Sequence, residues 1–389
     1  MPDCPVSPRE QGFSLHLVVV GDIAFEGTEA DRPSAESLAG VREVLSSADL
    51  AVGNLECPLV DDAMPAPGKC TMRGARVWAG VLRQAGIGVV SLANNHAMDH
   101  GEAGLFSTID ALERAGIVHV GAGRNRAEAC APRFVSVRGS RVGFLARSAV
   151  IVTSRAYAEE GSPGVAFLDM AETCAAIADC RKHCDLVILL VHWGIEEYLH
   201  PSPSQRSDAR RLASAGADAI IGHHPHVIQG AEYLGSCPVL YSLGNFVFSE
   251  FKWTYRTPEG AEIAQVSRLS PENRRALMAT VDWSGQARPG LSYAFARIED
   301  GGRLALEEDP ASERLIGKLS ASLNGPWYAA RWRLYALRKE WELRGGPGDS
   351  LAGILSRLHR LRPRHVGEAL AALRRSLRIV SGKSTNPYE

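Results

Sequence analysis

Hydrophobic and polar positions along this chain follow two alternating periods. L-H-L-V-V-V-G-D (15–22) is an apolar run that reads as a buried strand, and the residues after Pro33 up to about Ala48 carry the wider spacing of an amphipathic helix. L-A-V-G-N-L-E (50–56) predicts a second strand, followed by a loop rich in Pro and Gly and a helix near 75–85. V-V-S-L-A-N-N-H (89–96), a helix over about 102–115 and I-V-H-V-G-A-G (117–123) continue the alternation. The pattern then changes to a hairpin over 133–146, turning at Gly139-Ser140. Three more apolar runs follow, D-L-V-I-L-L-V-H-W-G (185–194), A-I-I-G-H-H (219–224) and P-V-L-Y-S-L-G-N-F (238–246). Such alternation predicts a layered α/β or α+β domain whose sheets are covered by helices.

Beyond residue 250 the pattern weakens. Residues 252–290 show no clear period, and 291–307 read as a hairpin turning at Asp300-Gly301-Gly302. From about Pro326 the chain reads as helical, and between Arg331 and Lys383 thirteen Arg or Lys stand against four Asp or Glu. This tail is expected to be a solvated helical face packed on the core through Trp332, Leu334, Leu337 and Trp341, although its charge would also suit an acidic partner. The expected division is a catalytic domain over 1–310 and a basic helical extension over 311–389.

Composition narrows the classes. With 389 residues, 22% charged and 45% hydrophobic, the chain suits a globular protein of one large domain or two. A formal net charge of -1 gives no global reason to expect nucleic acid as partner. The eight cysteines are scattered without a CxxC pair and read as reduced thiols of a cytoplasmic protein. No apolar run reaches the length of a signal peptide core or a membrane span, so no membrane association is expected.

The chemistry lies where the strands end. Asp22, then Asn54 and Glu56, then Asn94, Asn95 and His96, then His192 all stand at carboxyl ends of predicted strands, and a fifth strand opens into His223, His224 and His226. In layered α/β folds ligands bind outside the carboxyl ends of strands, so these groups are expected to converge. Carboxylate and amide oxygens mixed with imidazole suit a divalent cation of hard or borderline character: calcium, magnesium or manganese if oxygen dominates, zinc or iron if imidazole does.

G-D, G-N-L-E, N-N-H-x-x-D-x-G (94–101), H-W-G-x-E-x-Y (192–198), G-H-H-P-H-V-x-Q-G (222–230) and S-L-G-N-F (242–246), in this order, resemble the successive motifs of the CapA-like proteins of poly-γ-glutamate capsule biosynthesis, a branch similar to the calcineurin-like metallophosphatases. The resemblance covers roughly residues 15–250 and implies a calcineurin-like four-layer α/β/β/α sandwich with a metal site at one edge, here with a C-terminal helical extension. It implies Asp22, Glu56, Asn95, His192, His224 and His226 as ligands and His96 as general acid, with Asp99 its partner; His223 has no implied place. The first motif departs from the D-x-H of the phosphatases, since Ile23 and Ala24 follow Asp22. One imidazole is therefore missing, and a single divalent ion flanked by proton-transfer groups is expected in place of a two-metal centre.

That expectation bears on function. A single ion between histidines could polarise a carbonyl while one imidazole removes a proton and another returns it, with His96, Asp99, His224 and Asp22 as the catalytic candidates. Lacking the anchor usual in capsule-type members, the chain is similar to peptide epimerases of this fold, which invert the Cα of the C-terminal tryptophan of a lasso-peptide precursor without an organic cofactor. The partner implied is then a peptide, and the ion calcium first, with Mn, Mg or Zn as alternatives. A metal-dependent phosphoesterase or amide hydrolase is the alternative activity, and a binding module without turnover a third. Trp193, Tyr198, Phe246, Phe248, Phe251 and Trp253 could stack on an aromatic side chain, and Arg73, Arg76, Arg147, Arg155 or the loop 154–164 could hold a carboxylate.

Overall fold

A computed structural model describes residues 14–26, 35–62, 65–66, 70–150, 156–256, 262–285 and 288–343. In chain order the first elements are β1 (Leu15–Ile23), a 3-10 turn (Ala35–Val41) that runs into α1 (Arg42–Ser47), β2 (Leu50–Leu55) and α2 (Trp78–Gln84). Next come β3 (Ile87–Ser91), α3 (Gly101–Arg114), β4 (Val118–Val120), β5 (Ala122–Gly123), α4 (Arg126–Cys130), β6 (Arg133–Val137) and β7 (Ser140–Ser148). The middle holds β8 (Gly164–Val165), α5 (Met170–Cys180), β9 (Leu186–His192), α6 (Pro203–Ser214), β10 (Ala219–His223), β11 (Ala231–Leu234), β12 (Cys237–Leu240) and β13 (Asn245–Val247). The last are β14 (Phe251–Arg256), β15 (Glu262–Ser267), β16 (Arg275–Trp283), β17 (Gly290–Ile298), β18 (Leu304–Leu306), α7 (Pro310–Ser322) and α8 (Tyr328–Leu343).

Two sheets carry the architecture. One runs β18-β17-β16-β1-β2-β3-β4 with β13 also on β1, and the other runs β11-β12-β10-β9-β7-β6. Their facing sides share one core, in which Leu17, Val19, Val52 and Val89 meet Phe144, Ile188, Leu190 and Ile221. The outer side of the first sheet packs on α2 and α3 through Trp78, Leu82, Leu105 and Leu112, and that of the second on α5, α6 and α8 through Ile177, Leu212 and Trp332. Helix, sheet, sheet, helix is the order of layers, which is the four-layer sandwich the sequence motifs implied. Each strand buried on both faces is continuously apolar, as β9 is over Leu186–Val191, because neither face meets water.

Several expectations are corrected. The predicted helix after Pro33 is, over its described part, a 3-10 turn before a six-residue α-helix. The hairpin of β6 and β7 turns one residue earlier than expected, at Arg138-Gly139, both with positive φ. P-V-L-Y-S-L-G-N-F is two strands in different sheets: Gly244, at φ 72°, turns the chain out of the second sheet and into the first, where Asn245 pairs with Asp22. The stretch without a clear period contains most of β14 and all of β15 and β16, a hairpin and a nine-residue strand. On α8, Trp332 is buried beside Tyr335 and Ala336, whereas Leu334 (71% exposed) and Leu337 face outward. Helical spacing puts 332 and 336 on one face and 334 and 337 on another, so one packed face could not take all of them. The side chain of Trp341 and the residues from 344 onward lie outside the described residues. Among the described residues no helix is long and apolar enough to cross a membrane.

Candidate metal centre and cleft

Parallel pairing brings the chemistry to one edge. Asp22 pairs with Asn54 across β1 and β2, Asn54 with Ser91 across β2 and β3, and His192 with His223 across β9 and β10. Both sheets end there together, and the polar residues after β1, β2, β3, β9 and β10 meet between them. Close backbone approach needs glycine: a Cβ on Gly21 would lie 1.9 Å from the Gly244 carbonyl oxygen, and one on Gly222 2.0 Å from that of Tyr241.

Asn54 organises the middle of the site. Its Nδ2 donates to Asp22 Oδ1 at 2.9 Å and faces His192 Nδ1 at 3.4 Å, while its Oδ1 accepts from Asn94 Nδ2 at 3.2 Å. Asn94 in turn donates to the Leu55 carbonyl at 2.8 Å and accepts from the backbone N–H groups of His96 and Ala97. The first asparagine of N-N-H is thus the clamp of its own turn, and this frees the second for the site. Asn95 Oδ1 lies 2.7 Å from His192 Nε2, itself 3.6 Å from Glu56 Oε1.

The three histidines divide. His223 is buried in β10 and its Nε2 meets the Val20 carbonyl at 3.1 Å, a structural bond between the sheets. His224 and His226 have positive φ, 97° and 58°, which non-glycine residues seldom adopt and which collects at functional loops. His224 is fully buried, with its backbone N–H donating to Asp22 Oδ2 at 3.2 Å. His226 Nδ1 lies 2.9 Å from Asn245 Oδ1 and 3.3 Å from Asp22 Oδ2, and its Nε2 is 3.6 Å from Glu56 Oε1.

Both carboxylate oxygens of Glu56 and both ring nitrogens of His224 are buried without a hydrogen-bond partner. Such groups are costly in a folded interior unless something else satisfies them. Three overlapping sets of donors lie within 4.8 Å: Glu56, His192 and His224; Glu196, His224 and His226; and Asp22, Glu56 and His226. Two buried carboxylates and three imidazoles with orphaned atoms aimed at one another fit a divalent cation. Of the expected ligands, Asp22, Glu56, His192, His224 and His226 stand in these sets, and Asn95 reaches them through His192.

Charges follow burial and neighbours. Burial, with His224 and other histidines close by, holds His192 well below its usual range, and burial with His226 beside it lowers His224 to about 3. His226 is opposed by burial too, but Glu56 and Asp22 raise it to about 10. Burial, then Asp22, pushes Glu56 well up, while His226 and Asn54 outweigh burial at Asp22 and lower it. His192 and His224 are therefore neutral and Asp22 ionised, the forms in which such groups ligate a cation.

His96 is placed differently. Its Nδ1 lies 2.7 Å from Asp99 Oδ2, which also accepts the Met72 N–H at 2.6 Å. A carboxylate only accepts, so the shared proton belongs to Nδ1 and Nε2 is the free nitrogen. His96 and His226 both line a cleft of about 590 Å³, whereas His224 and Asp22 lie behind it. Phe248, Phe251 and Trp253 line it with Met72 and Arg268, as does Asn273, whose Nδ2 donates to the His226 carbonyl at 3.0 Å.

Of the aromatic candidates, Phe248, Phe251 and Trp253 reach the cleft, while Trp193, Tyr198 and Phe246 are buried in the cores. The expected arginines are otherwise engaged. Arg76 pairs with Asp110 and Ser107, Arg147 is buried against the Ala146 and Cys130 carbonyls, and Arg73 reaches the Asp61 carbonyl. Arg155 and the start of the loop 154–164 lie outside the described residues, and the described part of that loop does not line the cleft. Glu196, Asn245 and Arg268 were not anticipated. The first two stand inside quoted motifs, in H-W-G-x-E-x-Y and S-L-G-N-F, whereas Arg268 follows the hairpin that had no readable period.

A family model described as bacterial capsule synthesis protein PGA_cap matches residues 16–250. The PGA biosynthesis protein CapA of Bacillus subtilis (strain 168) is 33% identical over 265 residues, 66% of this chain and 69% of that one. The capsule biosynthesis protein CapA of Bacillus anthracis is 34% identical over 269 residues, which are 66% of this chain and 64% of that one. Among solved structures, a hypothetical protein from Thermus thermophilus aligns over 72% of this chain and 98% of its own, with TM-score 0.44 and 18% identity.

Proposed function

The chain belongs to the bacterial capsule synthesis protein family PGA_cap, and we propose that it is a metal-dependent enzyme that moves a proton on a peptide bound in the cleft. The observation that carries this reading is the His96–Asp99 pair, held at 2.7 Å at the cleft, together with Glu56 and His224, whose buried polar atoms have no hydrogen-bond partner. Glu56, His192 and His224 would hold the cation, with Asp22 and His226 beside them. When bound, a divalent ion supplies Lewis-acid polarisation of a substrate carbonyl.

This chain's residues supply the rest. His96 Nε2 accepts a proton from the substrate while Asp99 fixes the tautomer and steadies the imidazolium. His226, the second imidazole on the cleft, returns a proton from its own side. His224, given a proton-transfer role on sequence grounds, is proposed as a ligand, because it lies fully buried behind the cleft. Phe248, Phe251 and Trp253 give the substrate an aromatic wall.

Two imidazoles and no D-x-H histidine favour inversion of a peptide Cα, in line with the lasso-peptide tryptophan epimerases that the sequence resembles. A second reading, hydrolysis of a phosphate ester or amide, draws on Glu196, His224 and His226 as donors for a further ion next to the first. Incubation in deuterium oxide with peptides ending in an aromatic residue, with and without chelator, separates the two. One deuteron gained at constant chain length, with a D-residue formed, supports inversion. A shortened peptide, or phosphate released from an ester, supports hydrolysis. No turnover with any metal restored would overturn both.

A further inference from the structure

We infer that Cys180 and Cys184 form a reversible disulfide, a redox-modification site remote from the metal centre. The two sulfurs are 3.8 Å apart at the end of α5, where a 3-10 turn (Arg181–His183) leads into β9. The 3-10 turn folds Cys184 back on Cys180, so that its sulfur also lies 3.2 Å from the Cys180 carbonyl oxygen, and the remaining gap to the S–S bond length of about 2 Å is within reach of side-chain rotation. The backbone leaves room above the pair for that movement because Gly143 of β7 lies under it: a Cβ there would fall 2.5 Å from Cys180 Sγ and 2.8 Å from Cys184 Sγ.

The two thiols differ in setting. Cys180 is buried in the outer core of the second sheet, while Cys184 is only partly buried and so meets solvent. Cys184 Sγ–H donates to the Cys180 carbonyl at 3.2 Å, and Arg181 stands beside it. Cys184, the sulfur that an oxidant in solvent reaches, is therefore the attacking one, and buried Cys180 the resolving one. With hydrogen peroxide as oxidant, the Cys184 thiolate attacks one peroxide oxygen, the O–O bond breaks, and hydroxide leaves as water with a proton from solvent. Cys180 sulfur then displaces hydroxide from the resulting sulfenic acid, and its own proton completes a second water. Two thiols and one peroxide thus give one disulfide and two waters.

Arg181 and Lys182 lie between the two cysteines, so trypsin cuts the chain between them. The full chain is treated with hydrogen peroxide, blocked with iodoacetamide and digested without reductant. The expected product is a pair of tryptic peptides, one ending at Arg181 and one beginning at His183, joined until dithiothreitol separates them. Cys180→Ser should leave Cys184 as a sulfenic acid trapped by dimedone, and Cys184→Ser should leave Cys180 unmodified at the same dose. Circular dichroism on both variants checks that they fold. Two free thiols after oxidation, sulfinic acid on Cys184 with Cys180 still reduced, or a linked product that survives in Cys184→Ser would each overturn the inference.

Discussion

At the residue scale, proton transfer and metal holding fall to different side chains. His96→Ala and Asp99→Asn should lower turnover at least a hundredfold, the usual worth of a positioned acid or base, while metal content by atomic absorption stays unchanged. Glu56→Gln should lower metal content and turnover together, because it removes the charge from a carboxylate both of whose oxygens lack a hydrogen-bond partner. Loss of metal in His96→Ala would show that the two roles are not divided in this way. His224 adds a test of stored strain. Its φ of 97° suits glycine, and such strain is worth roughly 1 to 3 kcal/mol. In chelator-treated protein His224→Gly should unfold at a higher temperature than His224→Ala, and neither should retain metal. Equal melting temperatures would mean that the loop is not strained at that position.

At the element scale, α8 is anchored by one face. Trp332 is 2% exposed and donates from its indole to the His200 carbonyl at 3.1 Å, so Trp332→Ala should cost about 3 to 5 kcal/mol in denaturant unfolding. Leu334, on the outer face, should lose no more than about 0.5 kcal/mol on the same change. Similar losses from the two variants would place the packing face elsewhere. The apolar pattern of this helix was legible; its phase was not, because Trp332, Leu334 and Leu337 are equally hydrophobic and only the position of the partner layer selects among them.

For the whole molecule, buried histidines outside the centre tie stability to pH. Burial, then Arg133, lowers His119, and burial with Arg331 lowers His200. Both are held neutral in the folded chain and protonate more readily once it unfolds. Below the usual value of 6.5 the unfolded state therefore binds more protons. Stability from these groups is intact above that value and is lost as pH falls through the lowered folded values. His119→Gln should flatten the fall of the urea midpoint as pH drops below 6.5, and an unchanged slope would remove His119 from this account.

The strand runs and most of the donors could be read from the sequence, because each strand records its burial in its own residues and each motif stands where a strand ends; the order of the layers came from the family resemblance. G-D, G-N-L-E and H-W-G announced polar groups at strand ends from local pattern alone, and Glu56 and His192 proved to be among the buried donors of one cluster. What required tertiary structure was every choice between chemically equal neighbours. Nothing in G-H-H-P-H says that His223 bonds across to Val20, that His224 is buried behind the cleft or that His226 faces it; two left-handed backbone positions and the meeting of two sheets decide that. The same holds for Asn94 and Asn95, and for Arg147, whose charge is spent on carbonyls inside the fold. Residue type sets what a side chain can bond, but its partners come from strands far away in sequence, and only their packing assigns them.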